Sequence, residues 1–139
     1  MFSTVAAGTD GSATAGEAVE VAAEIARRFD ASLVLLSAFR EAGAVAHPAG
    51  DETEWAYSPA ARLREILARQ EEELRRTGIE CTTLIDEGEP ADVLVRLAEE
   101  CQADVLVIGN RGMQRRVLGS VPNTVTHRAP CAVLVVKTT

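Results

Sequence analysis

No stretch of this chain stays apolar for long. Uninterrupted apolar runs such as Val105–Ile108 and Ala132–Val136 are strand-length. A membrane-spanning helix needs about 20 apolar residues, so no membrane association is expected. Met1 to Gly16 holds no Lys or Arg, and the basic-then-apolar pattern of a secretory signal is not visible. Cytoplasm is the expected compartment. The three cysteines, Cys81, Cys101 and Cys131, are odd in number and widely scattered. With no CxxC or Cys/His ligand spacing, they read as buried or half-buried thiols, neither a metal site nor a redox pair. Residues 109–139 contain no Asp or Glu but five basic side chains, Arg111, Arg115, Arg116, Arg128 and Lys137. Residues 1–108 set nine basic against twenty-one acidic groups, a balance of −12. The overall charge of −7 argues against binding nucleic acid or an anionic membrane. A local basic region on an acidic protein suits a small anion better than a polymer.

The 139 residues fit one domain, 1–139, and 47% hydrophobic content supplies a core. The organising stretch is DVLVIGNRGMQRRVLGS, Asp104 to Ser120. An apolar run, Val105–Ile108, breaks at Gly109, passes Gly112 and ends at Gly119-Ser120, just before VPNTVTHRA opens a helix. Strand, glycine-bearing loop and helix N-terminus in that order make a seat for phosphate. Backbone N–H groups converge there, the helix dipole favours negative charge, and glycine lets a ligand approach the main chain.

From the start, Phe2–Gly8 reads as a buried strand that ends in the turn Thr9-Asp10-Gly11-Ser12. Ser12 is placed to cap a helix running to about Phe29, whose Ala18, Ala22, Ile25 and Phe29 share one face. Gly11 to Gly16 has the GxxxxG spacing of a P-loop, but Glu17 and Ala18 stand where Lys and Ser/Thr are required. GTDGSATAG does not fit GxGxxG either. Ser32–Phe39 is a second strand. Arg40–Pro59, with His47, Trp55 and Tyr57, is a long irregular segment. A segment this long is often functional; its aromatics could cover a ligand or anchor it to the body. A helix follows from about Ala60 to a stop at Gly78, then a strand over Glu80–Asp86 and a helix beginning near Pro90. Next come the Val105–Ile108 strand, a helix over about Val121–Arg128 and a last strand, Ala132–Val136. The alternation predicts an α/β fold, a doubly wound, five-stranded, mainly parallel sheet with helices on both faces. Such sheets bind ligands at strand carboxyl ends where strand order reverses. The ends of the first and fourth strands, Gly8-Thr9-Asp10 and Gly109, are the candidates.

VAAGTDGSATAGEAVEVAAEIA, EGEPADVLVRLAEECQADVLVIGNRG and LGSVPNTVTHRAPCAVLVV together resemble the universal stress protein family over essentially the whole chain. The resemblance implies a single domain of that family's Rossmann-like type. The family's ATP-binding members carry G-x2-G-x9-G-[S/T], and Gly109, Gly112, Gly119 and Ser120 match its residue types. Only six residues, MQRRVL, separate Gly112 from Gly119, where the family pattern has nine. By resemblance, Asp10 would meet adenine or ribose, with Thr9 and Gly8 lining the same turn and Ala38 meeting the adenine through its backbone. Ile108 and Gly109 would approach ribose and α-phosphate, and Gly112, Gly119, Ser120 and Val121 would surround the phosphates. The shortened loop either turns Arg115 and Arg116 inward to replace lost donors or fits a shorter ligand. The implied cofactor is ATP, with or without Mg²⁺; the alternatives are AMP and cyclic AMP. The family commonly dimerises through its last strand, which here implies a homodimer through Ala132–Val136 and covers an otherwise open apolar edge.

Catalysis finds little support. His127 falls about two turns beyond Ser120, His47 has no recognisable partner, and Asp10 reads as a turn-capping carboxylate. No catalytic residue is assigned. Three functions remain open: a nucleotide-binding stress-response or signalling module, a slow ATP hydrolase, and a dimeric interaction protein without nucleotide.

Overall fold

The computed structural model describes residues 2–40, 58–110 and 118–138. Its strands are β1 (Thr4–Gly8), β2 (Ser32–Phe39), β3 (Cys81–Glu87), β4 (Val105–Asn110) and β5 (Ala132–Lys137). Its helices are α1 (Ala13–Phe29), α2 (Pro59–Arg76), α3 (Pro90–Glu100) and α4 (Ser120–Arg128). Every strand pairing is parallel, in the order β3-β2-β1-β4-β5. β1 is therefore central, and the chain reverses its direction of travel across the sheet between β1 and β4.

Period-two alternation divides the strands between two cores. Val5, Ala7, Leu33, Leu35, Val105 and Val107 face α1 and the Leu74 end of α2. Ala6, Val34, Leu36, Leu106 and Ile108 face α3 and Val125 of α4. The helix over the sheet centre is alanine-rich for a packing reason. Ala18, Ala22, Ala23 and Ala26 are fully buried, and so small a face lets the α1 backbone sit close on β1 and β4. Ser12 caps α1 as expected, accepting the Ala15 N–H at 3.1 Å. Ser58 caps α2 in the same way, through Ala61 at 3.1 Å, with Pro59 at the first helical position.

One side chain fastens the amino end of the sheet. Asp104 Oδ2 accepts the N–H groups of Ser3 at 2.8 Å and Thr4 at 2.9 Å. These bonds, Thr4's first, hold its carboxyl below the usual carboxylate range. All three cysteines are free thiols; Cys81 is buried, and Cys101 and Cys131 are half-buried. Burial raises each thiol pKa, that of Cys81 to about 11.

One strand boundary differs from the sequence expectation. Gly109 does not end the fourth strand: β4 continues through Asn110, because β5 pairs alongside with Gly109 opposite Val136 and Asn110 opposite Lys137. Among the described residues, no helix is long and apolar enough to cross a membrane.

Candidate functional site

Four strand ends and three helix starts meet at the carboxyl edge of the sheet. At the end of β1 the chain must turn sharply into α1. Thr9 is buried, its N–H donates to Leu36 O at 2.9 Å, and its Oγ1 accepts the Gly11 N–H at 3.0 Å. Asp10 Oδ1 accepts the Ser12 N–H at 2.9 Å, an Asx turn that presents the carboxylate at an exposed rim. Gly11 completes the turn with φ +82°, and a Cβ on it would meet Ile66 Cγ2 at 2.8 Å. On the neighbouring strand, buried Ser37 donates its hydroxyl to Thr9 O, tying the ends of β1 and β2 together.

Across the chain-reversal point, Asn110 closes the exit of β4. Its Oδ1 accepts the N–H of Gly119 at 2.9 Å, and its carbonyl accepts the Thr138 hydroxyl at 3.0 Å. Gly119 is the N-cap of α4 and supplies no side-chain cap; its carbonyl accepts the Asn123 N–H at 3.0 Å. The first N–H groups of a helix lack intrahelical partners. Those of Ser120 and Val121 therefore face the edge with the positive end of the helix dipole.

Between these two exits lies a cleft of about 370 Å³, within the range of small-molecule sites. Ala38, Pro90, Leu94, Ile108 and Val121 give it an apolar side, while Thr9, Asp10, Thr14, Ser37, Asn110, Ser120 and Thr138 supply polar groups. Such a division suits a flat apolar body bearing an anionic tail. Among the described residues, Asp10 is the one carboxylate lining the cleft, and no cluster of three His, Cys, Asp or Glu side chains is disposed for a metal.

The structure brings Gly8, Thr9, Asp10, Ala38, Ile108, Gly109, Gly119, Ser120 and Val121 around this one cleft. Gly112, Arg115 and Arg116, with Arg111, lie outside the described residues, as do His47, Trp55 and Tyr57. His127 is exposed in the last turn of α4, its Nδ1 2.8 Å from Asn123 O.

Sequence reasoning missed several lining residues. Ser37 left a signal, a hydroxyl inside the apolar run LVLLSAF, and buried polar groups of that kind are seldom idle. Asn110 sat inside the glycine motif as an unspecified residue. Thr138 left none, because its bond to Asn110 spans 28 positions.

Comparison with known proteins agrees over the full length. The model of the universal stress protein family matches residues 1–137. Universal stress protein Rv1636 of Mycobacterium tuberculosis is 40% identical over 147 aligned positions, covering 99% of this chain and 98% of the relative. Universal stress protein MJ0531 of Methanocaldococcus jannaschii is 32% identical over 143 positions, covering 99% and 83%. Among solved structures, a universal stress protein in complex with cAMP superposes with a TM-score of 0.75 at 32% identity, covering 99% of both chains. UspA from Lactobacillus plantarum gives 0.78 at 25% identity, covering 97% of both. The sheet order, the cleft at its reversal point and these full-length matches lead to one assignment: the chain belongs to the universal stress protein family.

Proposed function

We propose that this protein binds an adenine nucleotide in the cleft between the ends of β1 and β4 and acts as a stress-response or signalling module, with ATP as its ligand. The observation that carries the reading is the α4 N-terminus, where Ser120 and Val121, whose N–H groups have no intrahelical partner, line a cleft that also has an apolar side. A phosphate at that position accepts main-chain N–H bonds and meets the dipole's positive end. The base packs between Ala38, Leu94 and Ile108, and the ribose comes within reach of Asp10. Arg111, Arg115 and Arg116 in the connecting sequence supply positive charge for further phosphates. Mg²⁺ would arrive with the triphosphate and be held chiefly by phosphate oxygens, Asp10 being its candidate protein ligand.

A second reading, a ligand with a single phosphate, has specific support. The 32%-identical structure is a universal stress protein in complex with cAMP, and six residues separate Gly112 from Gly119 where the ATP-binding pattern has nine. Calorimetric titration with ATP, ADP, AMP and cAMP separates the two. Affinity rising with phosphate number favours ATP; affinity equal or greater for AMP or cAMP favours the shorter ligand. Absence of heat with all four at millimolar concentration would contradict both and leave the interaction-protein function.

The proposal includes a homodimer. β5 is an edge strand whose Leu134 is 39% exposed, and pairing it with a second copy would cover its open hydrogen-bonding groups.

A further inference from the structure

We infer that Asn110 is a positioning residue that selects which main-chain donors of α4 meet the ligand's phosphate, an inference that rests on the nucleotide reading and refines it. Gly119 and Ser120 look equivalent in the motif, as neighbouring members of one cradle. The hydrogen bonds separate them. The Gly119 N–H is consumed by Asn110 Oδ1 at 2.9 Å. Pro122, at the third helical position, has no N–H, and the Asn123 N–H already donates to Gly119 O. The main-chain donors left at the head of α4 are those of Ser120 and Val121.

Asn110 is held in place to do this. Its side chain is buried, with the residue only 6% exposed. Its carbonyl accepts the hydroxyl of Thr138, itself 1% exposed. The absence of a Cβ at Gly109 makes room for that threonine, since an added Cβ would lie 3.1 Å from Thr138 Cγ2. The ends of β4 and β5 and the start of α4 are thus tied through one residue. The amide is the fitting group for the task. An apolar side chain would leave the Gly119 N–H unsatisfied and free to turn toward the anion, shifting the helix start. A carboxylate would keep the bond but place a negative charge beside the phosphate.

The test compares AMP with adenosine, which share base and ribose and differ in the phosphate, by calorimetric titration of wild type, Asn110→Ala and Asn110→Asp. Asn110→Ala is expected to lose AMP affinity by roughly tenfold, the equivalent of one reorganised hydrogen bond, and adenosine affinity by less than about twofold. Asn110→Asp retains an acceptor for Gly119 and serves as the variant that keeps the clamp. It is expected to melt no lower than Asn110→Ala and to lose AMP affinity at least tenfold, with part of the loss recovered at high salt. Equal losses for AMP and adenosine, or unchanged AMP affinity in both variants, would show a clamp that matters only to folding and would overturn the inference. If the wild type binds ATP and not AMP, ATP takes the place of AMP in the same comparison with adenosine; a wild-type protein that binds none of ATP, ADP, AMP and cAMP would overturn the nucleotide reading and this inference with it.

Discussion

Three residues test the local physics. Asp104 binds two main-chain N–H groups at the start of β1, and its pKa is lowered chiefly by them. A carboxylate with a depressed folded pKa contributes stability above its unfolded pKa, near 3.9, and that contribution is lost as pH falls through the folded value. Urea midpoints measured between pH 5 and pH 2.5 should therefore fall more steeply for wild type than for Asp104→Asn, the two converging at the acid end. Parallel slopes would mean the clamp has no energetic weight. Gly11 and Gly16 make a matched pair. Gly11 sits at φ +82° with Ile66 Cγ2 2.8 Å from the site of an added Cβ, whereas nothing lies within 4 Å of one on Gly16. Ile66 is 41% exposed and can swing aside, so backbone strain dominates at Gly11. Gly11→Ala should cost about 1–2 kcal/mol, while Gly16→Ala inside α1 should gain about 0.5–1 kcal/mol. Thermal melting of the two variants reads the sign directly, and equal shifts would contradict the account.

At the scale of elements, the strands were legible because a parallel sheet covered on both faces writes continuous apolar runs into the sequence. SLVLLSAF and VLVI left no other reading, and Ser12, Gly78 and Pro90 marked helix ends by chemistry that acts within a few residues. Long-range bonds were not legible. β4 runs on past Gly109 because β5 lies beside it, and no local pattern announces that. For the same reason Asp10, beside its own turn, could be read early, while Asn110, Ser37 and Thr138 emerged only with the fold. β5 itself mixes exposed and half-buried positions and has none fully buried, as suits an edge. If that edge pairs with a second copy, Leu134→Lys should convert a dimer to a monomer in sedimentation equilibrium while leaving the melting of the single chain nearly unchanged. A wild-type protein that sediments as a monomer, or a variant that stays dimeric, would contradict this interface.

For the molecule as a whole, the division of charge matters more than the total. A chain of −7 would repel a nucleotide on average, but the acids lie in residues 1–108 and the last 31 positions carry only basic charge. Those positions include α4, whose first residues line the cleft, and the sequence that leads to it. Whether this cleft holds an adenine nucleotide is decided by calorimetric titration of the wild-type protein. Saturable heat is expected with ATP or AMP at one nucleotide per chain, with weaker binding when adenosine replaces the phosphate-bearing ligand. No heat with ATP, ADP, AMP or cAMP at millimolar concentration would contradict it.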